Sequence, residues 1–196
     1  MTEKEKMQRQ MLYNANHDEE LLNERKRAKE LCFDYNSLRP SDEKGQRELM
    51  RQLLGKTKGA FFIAAPFWCD YGYNIEIGDN FFANHNTVIL DGGKVTFGDN
   101  VFIAPNCGFH TAGHPIDFER RNAGLEYAYP ITVGDNVWIG AGTQVMPGVT
   151  IGSNVVIGGG SIVVRNIPDN SVAAGNPCKV VRKITEEDKK NFRQKT

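Results

Sequence analysis

Apolar residues recur every six positions through the C-terminal half of the chain. This column consists of Val133, Ile139, Val145, Ile151, Ile157 and Val163. A helix repeats every 3.6 residues and a half-buried strand every two, so a sustained period of six indicates short strands stacked in a triangular coil. A second apolar column lies two residues earlier and includes Ile131, Val137, Val149 and Val155. The pattern predicts a mainly β protein built from hexapeptide repeats.

The same register continues upstream with one interruption. It is traced by Ile77, Ala83, Ile89, Phe97, Ile103 and Phe109. Between Ile89 and Phe97 the residues Asp91-Gly92-Gly93 add two positions, which is typical of a turn or bulge rather than of a new domain. Gly-Asp-Asn triplets recur at 78–80, 98–100 and 134–136, and these residue types tolerate left-handed backbone angles. We expect the triplets at the corners of the coil.

The chain divides into three parts by composition. Residues 1–58 are charged and carry apolar residues at helical spacing, which predicts three short helices. Residues 59–182 form the repeat, and residues 183–196 read as a charged tail or short helix. Within the repeat, residues 110–129 abandon the six-residue pattern and predict a projecting loop. Long loops of this kind are usually functional.

Charge and composition exclude several classes of function. Twenty-four basic residues balance twenty-four acidic ones among 196, so no global field would draw the protein to nucleic acid or to an anionic membrane. The sequence has neither an apolar signal segment nor a run long enough to cross a bilayer, and a cytoplasmic protein is expected. The four cysteines are widely spaced without a CxxC pair, which indicates reduced, buried thiols.

Three longer motifs connect the chain with a known family. They are TAGHPID at 111–117, ITVGDNVWIGAGTQVMPGVTIG at 131–152 and AAGNPCKVVRKI at 173–184. With the hexads and the helical N-terminal segment, the chain resembles the hexapeptide-repeat sugar O-acetyltransferases, most of all the maltose acetyltransferases. The resemblance implies a left-handed parallel β-helix, an exception to the usual right-handed crossover. It also implies a homotrimer with active sites between subunits, acetyl-CoA as donor, a sugar as acceptor and no metal.

Acyl transfer to a sugar hydroxyl requires a base, because the hydroxyl attacks poorly while it keeps its proton. His114, in the family's GHP context, is the candidate, although composition alone would make it an ordinary loop histidine. Glu126 on the same loop could orient the imidazole or be a solvated carboxylate. Asn84 matches the family's asparagine near this histidine, and its alternative is a corner residue. We expect direct transfer in a ternary complex without a cysteine nucleophile.

The resemblance also implies the acceptor residues. They are Asp18 and Arg27 in the N-terminal segment, with Asp70 and Phe82 in the first coils. Carboxylate and guanidinium groups can pair with sugar hydroxyls, and an aromatic ring can cover the C–H face of the sugar. Asp70 and Phe82 replace the serine and tyrosine of galactoside-acetylating members, which favours a glucose- or maltose-like acceptor. Asp91 is a further candidate, with a turn role as the alternative.

On the donor side, Trp138, Ala141 and Gly159 match positions that line the pantetheine groove. Trp138 follows an inward valine, so an outward orientation is expected. Arg165, Lys179 and Arg182 form a basic cluster suited to the nucleotide phosphates, or alternatively a solvated basic patch.

Two other functions compete with this interpretation. The γ-class carbonic anhydrases use the same coil and bind zinc through three histidines, which invites comparison with His85, His110 and His114. The GHP loop, the Trp138 segment and the helical N-terminus argue against that class. The second alternative is a noncatalytic trimeric scaffold, against which the retained candidate site residues argue.

Overall fold

The computed structural model describes residues 1–190 and begins with a helical segment. Its elements are α1 (Glu3–Gln8), β1 (Tyr13–Asn14), α2 (Glu19–Ser37) and α3 (Glu43–Leu53). The three expected helices are present, but α2 has 19 residues and is not short. Asp18 caps α2, since its side chain accepts a hydrogen bond from the Leu21 amide at 3.0 Å.

The rest of the chain winds into a parallel β-helix with three faces. The first face contains β2 (Lys56–Thr57), β5 (Ile75–Ile77), β8 (Val95–Phe97), β13 (Ile131–Val133) and β16 (Thr150–Ile151). The second face contains β3 (Phe61–Ile63), β6 (Phe81–Ala83), β9 (Val101–Ile103), β14 (Val137–Ile139), β17 (Val155–Ile157) and β19 (Ser171–Ala174). The third face contains β4 (Phe67–Cys69), β7 (Thr87–Leu90), β10 (Gly108–His110), β15 (Gln144–Val145) and β18 (Ile162–Val163).

The two apolar columns of the sequence are the interior of this coil. All residues of the column that begins at Val133 are at most 1 % exposed, and those of the earlier column are at most 2 % exposed. Each strand therefore sends one or two apolar side chains inward, which explains the six-residue period. Three phenylalanine rings also fill part of this interior. Phe97 packs against Phe81 and against Phe109, with centroids 5.1 Å and 4.9 Å apart respectively.

Asparagine makes the corners between the first and second faces. The last residue of each triplet, Asn80, Asn100 and Asn136, has a φ of 52°, 57° and 56°, as expected for left-handed corners. Their side chains also form a ladder, because the Asn80 amide donates to Asn100 at 2.9 Å and the Asn100 amide donates to Asn136 at 3.2 Å. The corner is thus stabilised by its backbone geometry and by hydrogen bonds between coils.

The loop expected at 110–129 leaves the coil after β10 and has its own structure. It contains β11 (Ala112–Gly113), α4 (Phe118–Asn122) and β12 (Leu125–Ala128). Strand β12 pairs with β11 on one side and with β1 of the N-terminal segment on the other. The loop is therefore one part of a three-stranded antiparallel sheet that joins the start of the chain to its middle.

The coil ends with an antiparallel strand, β20 (Lys179–Lys183), which pairs with β19. A 3₁₀ helix follows at Glu186–Lys190. It accounts for the first part of the expected C-terminal helix or tail, and residues 191–196 of that tail lie outside the described part of the chain. No helix within residues 1–190 combines the length and the apolar character needed to span a membrane.

Candidate active site

His114 directly follows β11 and is held by the opposite strand of the loop. Its ring Nδ1 lies 3.0 Å from the backbone carbonyl oxygen of Leu125. A carbonyl can only accept, so Nδ1 carries the proton and Nε2 is the unprotonated nitrogen of the neutral ring. The side chain is exposed. This arrangement presents Nε2 as a base that can take a proton from a bound hydroxyl.

Glu126 does not orient the imidazole within the chain. Its carboxylate accepts hydrogen bonds from the Tyr13 hydroxyl at 3.4 Å and from the Asn16 side-chain amide at 3.3 Å. The orienting contact expected of Glu126 is instead made by the carbonyl group of Leu125, one residue earlier. The Glu126 side chain joins the loop to the N-terminal segment, across the register pair Tyr13 and Glu126.

Asp70 lies half-buried below the loop, close to a guanidinium group. Burial raises the pKa of Asp70, and the nearby Arg25 partly offsets the effect. Arg25 donates to the Tyr71 hydroxyl at 2.8 Å and to the carbonyl oxygen of Ala15 at 2.5 Å. The Glu126 carboxylate also acts on Asp70, in the direction of a higher pKa. Asp70, Arg25 and Glu126 therefore form one polar group beside the loop.

The guanidinium group near Asp70 is that of Arg25 and not that of Arg27, which was the candidate in the sequence. Arg27 is exposed on another side of α2 and lines a small cavity of about 70 Å³ with Glu24 and Leu53. A signal for Arg25 exists in the sequence. The buried residues of α2 are Leu21, Ala28, Cys32 and Tyr35. Position 25 lies four residues after the first of these and three before the second, on the inward side of the helix.

Asp91 is fully buried, and its carboxylate is engaged by backbone amides. It accepts hydrogen bonds from the amides of Asp70, Tyr71 and Asn74 at 3.0, 2.8 and 3.3 Å. Burial raises the pKa of Asp91 to about 6. The side chain fills the offset in the repeat and supports the turn that carries Asp70. In this chain Asp91 thus has the turn role and offers no exposed atom to an acceptor.

Phe82 and Asn84 lie on the second face and just after it. The ring of Phe82 points outward and stacks on Phe62, with centroids 5.6 Å apart. The Asn84 side-chain oxygen accepts a hydrogen bond from the amide of His85 at 2.8 Å, which leaves its NH₂ group as a donor. Asn84 is not the left-handed corner residue, because that conformation belongs to Asn86, with a φ of 61°.

The donor-side candidates are exposed, small or both. Trp138 is 55 % exposed on β14 and points outward, as expected. Ala141 and Gly159 are exposed and lie on adjacent coils, where the amide of Gly160 donates to the Ala141 carbonyl at 2.7 Å. A Cβ atom on Gly159 would lie 3.1 Å from that same oxygen. Because these residues are glycine or alanine, a strip of backbone stays open here.

The three cations expected as one cluster are separated within the chain. Lys179 pairs with Ala174 at the end of β19. Arg182 binds Asp188 through two hydrogen bonds of 2.9 Å and 2.7 Å, so its charge is already paired. Arg165 follows β18 and is exposed at a different corner of the coil.

Most of the candidate residues in the coil fall on the two edges of the third face. We call the corner between the second and third faces the second edge, and the corner after the third face the third edge. The second edge carries Asn84, Ala141, Gly159 and, beside it, Lys179. The third edge carries Asp70, Asp91, Arg165 and the loop with His114. In one chain the third face separates the two groups.

The histidines of the zinc alternative do not converge within the chain. His85 Nδ1 contacts the carbonyl oxygen of Ala65, and His110 Nε2 lies 2.7 Å from the side-chain oxygen of Gln144. His114 is bound to Leu125. Among residues 1–190 no three His, Cys, Asp or Glu side chains are grouped as metal ligands.

Comparison with known proteins places this chain in a family. The maltose acetyltransferase hexapeptide capping motif matches residues 6–59, and the bacterial transferase hexapeptide, of six repeats, matches residues 130–165. A protein of Saccharomyces cerevisiae, provisionally named an acetyltransferase, is 61 % identical over 177 residues, which cover 90 % of each chain. The chain belongs to the hexapeptide-repeat acetyltransferases. Its fold is accordingly the left-handed parallel β-helix expected from the sequence.

Solved structures of hexapeptide-repeat acetyltransferases superpose on nearly the whole chain. A maltose O-acetyltransferase of Clostridium difficile 630 is 49 % identical, with a TM-score of 0.92 over 95 % of this chain and 99 % of that one. A galactoside acetyltransferase in complex with coenzyme A is 42 % identical, with a TM-score of 0.95 over 100 % and 97 %. A Vibrio cholerae acetyltransferase in complex with acetyl-coenzyme A is 34 % identical, with a TM-score of 0.87 over 95 % and 100 %.

Proposed function

We propose that this acetyltransferase moves the acetyl group of acetyl-CoA to a hydroxyl of a glucose- or maltose-like sugar. The observation that carries the proposal is the hydrogen bond between His114 Nδ1 and the Leu125 carbonyl, because it leaves Nε2 as a proton acceptor on an exposed loop. The related structures with coenzyme A and acetyl-coenzyme A support the choice of donor. The related maltose O-acetyltransferase supports the choice of acceptor.

The reaction is a direct transfer in a ternary complex. Nε2 of His114 removes the hydroxyl proton as the sugar oxygen attacks the thioester carbonyl carbon, and backbone amides stabilise the oxyanion. Collapse of the tetrahedral intermediate breaks the carbon–sulfur bond. The leaving thiolate takes the proton from the imidazolium, so that ester, free thiol and neutral His114 result.

The acceptor lies between the polar group of Asp70, Arg25 and Glu126 on one side and Asn84 with Phe82 on the other. Asp70 and Arg25 bind its hydroxyls, and the ring of Phe82 packs on its C–H face. The NH₂ group of Asn84 donates to an oxygen of the acceptor. Asp18 is half-buried at the start of α2, and the carboxylate oxygen that does not cap the helix is available to the sugar. The donor extends along Trp138, Ala141 and Gly159 towards Lys179 and Arg165.

The active site is shared between chains of a homotrimer. In a three-fold arrangement with the third face towards the axis, the second edge of each chain meets the third edge of its neighbour. Asn84 of one chain then faces His114 of the next, and Lys179 faces Arg165. The loop tip supports this arrangement, since Ile116 is 96 % exposed and Phe118 is 60 % exposed in the single chain. Large apolar groups at such exposure are typical of an interface.

Thiol release from acetyl-CoA tests the function directly. Glucose, maltose, galactosides and short oligosaccharides serve as acceptors, and we expect the highest rate with glucose or maltose. His114→Ala should lower kcat by at least about 100-fold, within the range of general-base catalysis. His17→Ala is the matched control, because within residues 1–190 the ring of this exposed histidine bonds only to the side chain of Asn14. Equal activity of His114→Ala and the wild type would remove His114 from the mechanism.

Subunit mixing tests the sharing of sites. His114→Ala and Asn84→Ala chains are each inactive alone, and they are unfolded together in equal amounts and refolded. Three quarters of the trimers then contain both chains, and each of these has one intact site out of three, so about a quarter of wild-type activity returns. No recovery in trimers shown by mass spectrometry to be mixed would place both residues in a site within one chain.

A further inference from the structure

The backbone before His114 is covered by an aromatic ring. Gly113 and Tyr127 are register partners across β11 and β12. A Cβ atom built on Gly113 would lie 2.5 Å from Cζ and 2.9 Å from Cε2 of Tyr127, distances that real Cβ atoms do not tolerate. The tyrosine ring therefore occupies the space that any larger residue at position 113 would require.

The requirement for glycine at position 113 is one of space and not of backbone conformation. Gly113 is not among the glycines with a positive φ, so its backbone is open to other residues. The ring also packs against a second aromatic side chain, because Tyr127 stacks on Tyr129 with centroids 4.8 Å apart at 25°. Tyr127 thus packs against both a second ring and the backbone of Gly113.

The same two strands hold His114 in place. On one side the Gly113 backbone lies under the Tyr127 ring, and on the other the imidazole is bonded to Leu125, two residues before Tyr127. Strand β11 has only two residues, so its backbone pairing alone offers few contacts. The ring of Tyr127, packed over Gly113, adds a restraint on the backbone that carries His114.

We propose that Gly113 and Tyr127 are a matched pair that positions His114 for proton transfer. Tyr127 acts through the backbone and does not touch the reacting atoms, so it is a positioning residue. The inference rests on the proposed role of His114 as the base. A misplacement of about 1 Å in a catalytic group can lower a rate by about 100-fold, so the pair acts on kcat.

Four variants test the pair. Gly113→Ala and Tyr127→Ala should each lower kcat about tenfold or more, while the KM for acetyl-CoA changes less than about twofold. The double variant should be no slower than the slower single variant, because both changes abolish the same restraint. Tyr127→Phe keeps the ring and should retain nearly wild-type kcat.

A glycine elsewhere in the chain provides the control. The Cβ of a Gly45→Ala variant would also meet the end of a flexible side chain, the carboxyl carbon of Asp42 at 2.9 Å, but on α3. We expect it to change the melting temperature and not kcat. If Gly113→Ala and Tyr127→Ala keep kcat within twofold while His114→Ala is inactive, the positioning role is wrong and the proposed function stands. An active His114→Ala, or an inactive wild type, would instead overturn the proposed function.

Discussion

Arg25 donates a hydrogen bond of 2.8 Å to the phenolic oxygen of Tyr71 and so joins α2 to the coil beside Asp70. The guanidinium group favours the ionised form of this half-buried carboxyl group. Arg25→Gln should therefore raise the KM for the sugar about tenfold, with a smaller effect on the KM for acetyl-CoA. Arg27→Gln, on the same helix, should change neither constant more than twofold. A larger effect at Arg27 would return the acceptor contact to that residue.

The buried carboxylate of Asp91 should make stability depend on pH in mildly acidic solution. Its pKa is raised by burial from an ordinary 3.8 to about 6. The folded protein then binds the proton more tightly than the unfolded chain, so this contribution to stability is complete below about pH 4 and is lost as the pH rises to about 6. The difference corresponds to about 3 kcal/mol.

Urea unfolding of the wild type and of Asp91→Asn between pH 4 and 7 measures this contribution. The free energy of unfolding of the wild type, relative to that of the variant, should decrease as the pH rises. A difference that stays constant, or that increases with pH, would show that the folded protein holds Asp91 with an ordinary or lowered pKa.

The cysteines should resist alkylation in the native protein. All four are at most 4 % exposed, and burial raises the pKa of Cys107 and of Cys178. Iodoacetamide should label fewer than about one thiol per chain without urea and all four with it, as counted by mass spectrometry.

Steady-state kinetics test the direct transfer without a cysteine intermediate. Initial rates at varied concentrations of acetyl-CoA and sugar should give intersecting lines in a double-reciprocal plot. Rapid labelling that parallels inactivation, or parallel lines, would indicate a covalent cysteine intermediate.

Within the asparagine ladder, Asn100 should contribute more to the stability of the fold than its exposure suggests. Asn100 combines a φ of 57° with hydrogen bonds to Asn80 and Asn136. Asn100→Ala should lower the free energy of unfolding by about 2 kcal/mol, since it loses both bonds and keeps the left-handed strain. Asn100→Gly should lower the free energy of unfolding by about 1 kcal/mol less than Asn100→Ala does, because glycine tolerates this conformation. Equal melting temperatures for the two variants would assign the whole effect to the hydrogen bonds.

The repeat could be predicted from the sequence because each of its rules is local. Val133 and the residues at six-residue intervals after it are inward in the structure, and the triplet asparagines are at corners. Counting strands also locates Asn84 and His114 on different edges of the coil. These features depend on neighbours within one turn of the coil, so they can be predicted from the sequence.

Contacts between distant parts of the chain could not be predicted in this way. Tyr13 and Glu126 pair across 113 positions, and no periodicity connects them. Without that pairing, the sequence left Glu126 either orienting the imidazole or solvated, and did not predict its contact with the N-terminal segment. Arg25 and Arg27 differ by about 200° around α2. To choose between them, one has to know which face of α2 packs inward, and this helix is longer than the sequence pattern predicted.

The second edge has a consequence for how long a donor the enzyme can accept. The residues at this edge on five successive coils are Asn84, Ala104, Ala141, Gly159 and Ala174. Backbone hydrogen bonds join these coils, for example from the Asn84 amide to the Ile103 carbonyl at 2.9 Å and from the Ala104 amide to the Ile139 carbonyl at 2.9 Å. Adjacent parallel strands are about 4.8 Å apart, so this line measures roughly 19 Å from first to last. The number of coils thus sets the length of this edge. Inserting one more coil between Ala141 and Gly159 would move the end proposed to bind the phosphates by about 4.8 Å and leave the proposed catalytic end in place.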